Sequence, residues 1–278
     1  MQNKLRLYNP DYARSLQEWE NRADKLTQIN PIKQLNILPQ MEDMTKDTAR
    51  FLKIKSLWYL AVHDKKQVFL RYFFKKPIRH ISRLLFSYVK NKCYTRDGDF
   101  FFYGITNEND LLEKLNKKNH LLVLGFSYCH KPFECPAKRF SSECIHDANH
   151  PVCGQCFIGK TMNHLPNKNI IPVFIPTIHF IGEKIFEIKE ANPQSTVYFL
   201  ITACGMSLEM FGDYAFMSGI KGIGVRLGGR ICNTMRAFKL SEEGIKPGLT
   251  VVTKETQRRI LDFIELLHSH NDTTCGKA

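Results

Sequence analysis

The chain has 278 residues, of which 43% are hydrophobic, and it carries a formal net charge of +13. This length supports a sizeable core in one or two domains, and the composition excludes a disordered or collagen-like chain. No apolar run is long enough to span a membrane, and the first fifteen residues contain no apolar signal segment. The sequence therefore predicts a cytoplasmic protein without a transmembrane segment.

The first 118 residues predict a mainly helical, basic region. An apolar stripe at spacings of three and four predicts a first helix that begins at Asn9-Pro10. Its members are Tyr12, Leu16, Trp19, Ala23 and Leu26. A second stripe is made of Ile78, Ile81, Leu85 and Tyr88. Asp97-Gly98 lies between aromatic runs, which predicts a β-hairpin.

Positive charge is concentrated in residues 51–92, which contain 11 Lys and Arg against 1 Asp or Glu. Residues 1–50 carry 8 against 7, and residues 93–278 carry 21 against 19. Two partners suit this segment: nucleic-acid phosphates, with its aromatic side chains stacking on bases, or an anionic membrane surface. A solvated charged face whose aromatic residues belong to the core is the third interpretation.

Residues 119–278 predict a cysteine-rich α/β domain. Four short apolar runs, at 120–126, 170–176, 197–203 and 223–229, alternate with helical stretches. Strands that alternate with helices form a buried parallel sheet, so the fold class is α/β with about four parallel strands and flanking helices. The last helix has a core face made of Ile260, Phe263, Ile264 and Leu267.

Three cysteines follow predicted strands. Cys129, Cys204 and Cys232 come directly or three residues after the first, third and fourth strands, and His179 follows the second. Ligands collect beyond the carboxyl ends of parallel strands, so we expect these residues at one edge of the sheet. Because cytoplasmic thiols are kept reduced, clustered cysteines there favour metal or redox chemistry over disulfides.

A long polar loop, residues 127–152, supplies further thiols together with the segment that follows it. Cys135, Cys144 and the pair Cys153-x-x-Cys156 lie here, and metal ligation would give so long a loop a reason to be ordered. The sequence thus predicts seven candidate metal ligands gathered at one cysteine-rich site, where they could serve one four-cysteine cluster with extra thiols or share two metal sites. They are Cys129, Cys135, Cys144, Cys153, Cys156, Cys204 and Cys232.

Seven thiols exceed the needs of one zinc ion, and only one short pair is present. An iron–sulfur cluster is therefore favoured and zinc stays open. The histidines at 130, 146 and 150 are expected to be solvated. Cys93 and Cys275 lie outside the pattern and are expected to be dispensable. The cysteine pair could instead serve thiol–disulfide exchange.

Four segments in this order resemble a cysteine-rich domain of unknown function found in archaea and anaerobic bacteria. They are "CPAKRFSSEC", "CGQCFIG", "ACGMSLEMFG" and "GGRICNTM", and the resemblance spans roughly residues 120–265. It implies a metal or iron–sulfur role for Cys135, Cys153, Cys156, Cys204 and Cys232. The basic amino-terminal part lies outside it.

Three functions follow as hypotheses. The first is an iron–sulfur or other metal-binding protein that assists electron or sulfur transfer together with a partner protein. The second is an enzyme that uses the metal site directly. The third is a zinc-stabilised protein that binds nucleic acid through residues 51–92. The sequence shows no Ser/His/Asp pattern and no paired carboxylates, so catalytic residues and the question of enzymatic activity stay open.

Overall fold

The computed structural model describes residues 10–33, 42–89, 93–117, 119–166, 169–246 and 248–272. Its helices are α1 (Pro10–Ile29), α2 (Lys46–Ala49), α3 (Leu52–His63), α4 (Val68–Lys75), α5 (Pro77–Val89), α6 (Glu108–Leu115), α7 (Pro151–Gln155), α8 (Phe157–Asn163), α9 (Ile178–Ala191), α10 (Gly205–Ser218), α11 (Met235–Glu242) and α12 (Lys254–Asp272). Its strands are β1 (Thr95–Asp97), β2 (Phe100–Tyr103), β3 (His120–Ser127), β4 (Ile170–Ile175), β5 (Thr196–Ala203), β6 (Lys221–Arg226), β7 (Gly228–Gly229) and β8 (Thr250–Val251).

The main sheet has the strand order β1-β2-β6-β5-β3-β4. Strands β6, β5, β3 and β4 are mutually parallel, and they coincide with the four strands predicted from the apolar runs. The predicted α/β class is confirmed, but the predicted size of the sheet is wrong, since it has six strands. The fourth predicted strand is also too long, because β6 ends at Arg226 and Gly228–Gly229 pairs with β8 instead.

The two additional strands are the predicted hairpin, which joins the sheet. All four residues of β2 are buried, and β2 pairs antiparallel with β6, with Phe101 opposite Gly224. An aromatic strand whose two sides are both buried needs packed side chains on both faces of the sheet. Beside β6, the strand β2 has them, because helices pack on both faces of the parallel strands. The sheet thus draws on residues from both sides of position 118, while the division of the chain into two domains stays a prediction.

Helices cover both faces of the sheet. Leu124 of β3 and Leu200 of β5 face one core, which α6, α8 and α12 close with residues such as Leu111 and Ile158. Phe199 of β5 faces the opposite core, which α9 and α10 close. Successive side chains of a strand point to opposite faces, which is why each buried strand is apolar throughout.

The amino-terminal and carboxy-terminal helices pack together. The Tyr12 hydroxyl of α1 donates a 2.8 Å hydrogen bond to the Leu261 carbonyl of α12. Tyr12 and Trp19 are buried, which agrees with the predicted stripe of α1. The predicted core face of α12 is confirmed, since all four of its residues are buried, from Ile260 to Leu267.

The predicted stripe of α5 faces solvent. Ile78 is 84% exposed and Leu85 is 63% exposed. The helix turns His80 and Ser87 inward and packs that side on α10. Its apolar face therefore points away from the core.

The two edges of the main sheet differ in composition. Strand β1 is short, exposed and largely charged. Strand β4 carries Pro172, which is exposed and pairs in register with Leu124. The Leu122 N–H donates to the Asn169 carbonyl, and in this parallel ladder the nitrogen of residue 172 lies on the outer side. Within the ranges that the structure describes, no helix has the length and apolar character to cross a membrane.

Candidate functional site

The strand order creates a crevice between the carboxyl ends of β3 and β5. These strands are neighbours, but β3 connects onward to β4 on one side and β5 connects onward to β6 on the other. Such a switch in direction is where open α/β sheets bind ligands. Cys129 follows β3 and Cys204 follows β5, so both cysteines lie at this crevice.

A buried lysine stands among the cysteines that follow the strands. Lys246 Nζ lies 3.2 Å from Cys129 Sγ and 3.7 Å from Cys232 Sγ. Burial lowers the pKa of Lys246, but the neighbouring thiolates of Cys129, Cys232 and Cys204 raise it by a larger amount. The pKa of Lys246 is therefore above that of an ordinary lysine. We call these three cysteines and Lys246 the strand-end group. It brings together the three residues that the sequence places at one edge of the sheet.

Cys204 is the residue that caps the amino terminus of α10. Its Sγ lies 3.1 Å from Ser207 Oγ. Burial raises the pKa of the Cys204 thiol to about 11, while the Lys246 ammonium acts in the opposite direction. This thiol therefore keeps its proton at neutral pH unless a metal ion displaces it.

The three cysteines of the strand-end group line a cavity of about 50 Å³. Glu242 lines the same cavity and accepts a 2.9 Å hydrogen bond from the Ile178 N–H at the start of α9. Burial raises the pKa of Glu242 to about 8, so this carboxyl is neutral at neutral pH. The cavity thus has three thiols and a protonated carboxyl around one small space, and the Lys246 ammonium contacts two of these thiols.

The remaining four predicted ligands form a second group. A cavity of about 10 Å³ between the long loop and helices α7 and α8 is lined by Cys135, Cys144, Cys153 and Cys156. We call these four cysteines the loop group. The sequence predicted one cluster of seven thiols, whereas the structure sorts them into two groups that line different cavities.

Backbone N–H groups are directed at three of the four sulfurs in the loop group. Cys144 accepts from His146, Cys153 from His146 and Asp147, and Cys156 from Ile158 and Gly159. Burial raises the pKa of the Cys156 thiol to about 12, and the two N–H groups oppose that rise. Hydrogen bonds of this kind stabilise a thiolate, which is the form that binds metals.

Lys131 holds the loop in place beside these thiols. Its side chain is buried, and its Nζ donates to the Ser141 carbonyl at 2.9 Å and to the Glu143 carbonyl at 2.6 Å. Burial lowers the pKa of Lys131, and the thiolates of Cys135, Cys144 and Cys156 oppose this. The loop group therefore has a positive charge of its own, apart from Lys246.

Two glycines let the cysteine pair pack closely. A Cβ on Gly159 would lie 2.3 Å from the Cys153 carbonyl oxygen, and a Cβ on Gly154 would lie 2.6 Å from Leu26 of α1. Gln155 in turn accepts a 3.0 Å hydrogen bond from Thr27 of α1. Helix α1 thus covers the loop group from outside.

The histidine rings weighed as ligands contact groups other than the cysteine sulfurs. His130 contacts Thr202 at 3.0 Å, and burial lowers its pKa to about 3, so it is a neutral, half-buried ring and not the solvated side chain expected. His146 contacts the Cys144 carbonyl, His150 caps α7, and His179 lies near the Leu60 carbonyl. Among the described residues, no group of three or more His, Cys, Asp or Glu side chains is arranged so that it could hold a metal ion.

All cysteines that the structure describes are free thiols. Cys93 lies away from both groups and lines a different cavity, beside Tyr94 and Met210. Cys275 lies outside the described residues. The expectation that both are dispensable stays a prediction.

Sequence reasoning missed Lys246, Lys131 and Glu242. Lys131 stands two residues from Cys129, which was a usable signal, because a cation near thiols favours their ionised form. Lys246 and Glu242 carry no such signal, since only the packing of α11 and the loop after it brings Glu242 to the cavity and Lys246 to the thiols.

No protein-family model matches the chain, and comparisons with curated proteins and with solved structures found no match. The resemblance to a cysteine-rich domain of unknown function therefore stays a prediction, and the proposals below depend on the residues alone.

Proposed function

We propose that this chain is a metal-binding protein in which the loop group holds an iron–sulfur cluster. The observation that carries the proposal is that Cys135, Cys144, Cys153 and Cys156 all line one small cavity. Four thiolates are the usual ligand set of such a cluster, and zinc, which accepts the same set, is the alternative. When bound, a cluster would supply one-electron transfer.

The surroundings of the loop group support this assignment. Backbone N–H groups directed at sulfur stabilise metal thiolates and tune the potential of a cluster. The Lys131 ammonium offsets part of the negative charge that four thiolates would bring into a buried site. A flexible reduced loop would need neither the buried lysine nor these N–H groups.

The strand-end group is proposed as the reacting site of the same protein. Lys246 already supplies the positive charge that Cys129 and Cys232 would otherwise obtain from a metal ion. A thiolate beside an ammonium at a ligand-binding crevice is poised to accept the outer sulfur of a persulfide on a partner protein, whose own thiolate leaves, while electron transfer would belong to the cluster of the loop group. Two alternatives are kept: metal ligation by Cys129, Cys204 and Cys232, and an enzyme that converts a small substrate here.

Purification without oxygen tests the cluster. We expect brown protein with stoichiometric iron and acid-labile sulfide, and with little zinc. Cys153→Ser and Cys156→Ser should each lose most of the iron, while the matched control Cys93→Ser keeps it. Colourless protein with stoichiometric zinc would show that the site binds zinc and not an iron–sulfur cluster. Full metal content in both loop variants would show that this pair does not bind metal.

A second candidate function is binding of a polyanion through residues 51–92. Six basic residues here are exposed: Lys65, Lys66, Arg71, Lys75, Lys76 and Arg79. Among the described residues, only Lys66 and Lys75 of these six form ion pairs, with Glu183 and Glu190. Nucleic acid and an anionic membrane surface are the proposed partners. The many free thiols fit a reducing compartment, so a cytoplasmic location is proposed as well.

A further inference from the structure

Helices α3 and α5 expose large apolar side chains over most of their length. Trp58 is 72% exposed, Ile78 is 84% exposed and Val89 is 85% exposed. We call the outward set the apolar face. It consists of Ile54, Trp58 and Val62 on α3 and Ile78, Leu85 and Val89 on α5. The spacing along each helix is four or seven residues, so each set forms one stripe.

The two helices lie side by side, which makes the stripes parts of one surface. Lys53 of α3 donates to the Ser87 carbonyl of α5, and its Nζ lies 5.5 Å from the centre of the Tyr88 ring. Leu57 of α3 and Leu84 of α5 pack against the same buried cluster, which includes Met217 of α10. Both helices therefore rest on α10 and turn their apolar stripes outward.

Soluble proteins rarely leave a continuous row of large apolar side chains exposed unless that surface binds a partner. Basic side chains accompany the face: Lys76 and Arg79 at the start of α5, and Lys65 after α3, are exposed. An anionic bilayer complements this combination, since headgroups attract the lysines and arginines while the acyl region receives the apolar side chains. Trp58 suits the boundary between the two layers.

Nucleic acid fits the face less well. Binding to bases would use aromatic stacking, but five of the six residues of the face are aliphatic and have no ring to stack. The two other exposed rings of α5 already have partners within the protein, since Phe86 stacks on Phe216 and the Lys53 ammonium lies over Tyr88. Phosphate contacts would satisfy Lys76 and Arg79 and leave Ile78, Leu85 and Val89 in water. The apolar residues thus favour an anionic bilayer over nucleic acid as the partner of this surface.

We propose that the chain docks on anionic membrane surfaces through the apolar face of α3 and α5, lying on the bilayer without crossing it. This inference rests on the polyanion candidate above and is independent of any metal in the loop group. Docking would bury the apolar face.

Co-sedimentation with vesicles tests the proposal in the full-length protein. Phosphatidylcholine vesicles with and without phosphatidylglycerol are compared, and Trp58 reports insertion by a blue shift in its fluorescence, with buried Trp19 as an internal reference. We expect binding to the anionic vesicles only. The double variant Ile78→Ser, Leu85→Ser should bind at least about tenfold more weakly, since each buried aliphatic side chain contributes about that factor on transfer from water.

Controls separate the possible failures. The exposed pair Ile78 and Leu85 is far from the core, so unfolding of the double variant should match the parent, and Trp58→Phe should retain binding without the blue shift. Lys76→Gln, Arg79→Gln should weaken binding and its dependence on salt. Binding of an oligonucleotide but not of vesicles would overturn the membrane proposal and keep the polyanion candidate. Binding of neither, with or without self-association, would overturn both.

Discussion

Lys246 Nζ donates to Cys129 Sγ at 3.2 Å, across 117 positions of sequence. Both side chains are buried, so water does not screen the pair as it would on the surface. The ammonium is therefore in position to stabilise negative charge that develops on the Cys129 sulfur during a reaction. This contact is the basis on which the strand-end group is proposed as a reacting site.

The first prediction removes this cation. Lys246→Met should slow the alkylation of Cys129 and Cys232 by small thiol reagents about tenfold, because a hydrogen bond to a charged group contributes about 1.5–3 kcal/mol. Peptide mass spectrometry at timed intervals gives the rate at each thiol. Lys239→Met, an exposed lysine of α11, is the control and should leave both rates unchanged. Equal rates in the two variants would contradict the role of Lys246.

Glu242 should make stability depend on pH. Burial raises its pKa to about 8 in the folded chain, so the folded protein retains a proton that the unfolded chain releases above the ordinary glutamate pKa. The free energy of unfolding should therefore fall between about pH 5 and pH 8, at up to about 1.4 kcal/mol per pH unit. Urea unfolding across this range measures the slope.

Two neutral variants distinguish Glu242 from its neighbour. Glu242→Gln cannot ionise, so the part of the slope that comes from this residue should disappear. Glu243→Gln changes an exposed residue next to it and should keep the parent slope. A slope unaffected by Glu242→Gln would mean that another group titrates in this range.

Lys131 is predicted to hold the cysteine loop together. Lys131→Met leaves the carbonyls of Ser141 and Glu143 without their donor, which should cost about 1–3 kcal/mol in unfolding free energy. Hydrogen exchange should become faster in residues 135–147. Lys138→Met alters an exposed lysine of the same loop and should change neither quantity. Unchanged exchange in the Lys131 variant would show that the loop is ordered by other contacts.

Arg226 at the end of β6 fastens two distant segments to the sheet. Its buried guanidinium pairs with Asp43 and, at 3.4 Å, with Asp99, which also accepts from Thr256. Arg226→Met removes the cation and leaves both carboxylates partly buried, so stability should fall by about 3–5 kcal/mol. Guanidinium chloride unfolding measures the loss. Arg236→Met, on the exposed side of α11, should be nearly neutral, and an equal loss there would contradict the assignment.

The parallel part of the sheet was predictable because each of its strands is an apolar run bounded by polar residues. The hairpin was predictable from Asp97-Gly98, but its pairing with β6 was not, since register between segments over 100 residues apart leaves no local pattern. The stripe of α5 shows what helical periodicity cannot predict. Ile78, Ile81 and Leu85 have the periodicity of a core helix, and periodicity alone does not say which side of a helix meets the protein.

The gathering of Cys129, Cys204 and Cys232 followed from their positions after parallel strands, because strand direction fixes the end of the sheet at which each residue lies. The separation of the loop group from them could not be predicted. It depends on how α7 and α8 fold back after the long loop, and on Gly154 and Gly159 allowing close packing there. Lys246 enters the site from a turn whose path no sequence pattern specifies.

The composition of the sheet edges bears on self-assembly. At one end, β1 offers an added strand only three exposed and mostly charged residues. At the other end, the outward nitrogen of Pro172 has no hydrogen to donate, so a strand arriving there would meet a break in the middle of its ladder. Growth of the sheet from one molecule into the next is disfavoured at both ends. Copies of this chain that crowd together on a surface should thus resist fibril formation, even with their apolar helices exposed beside them.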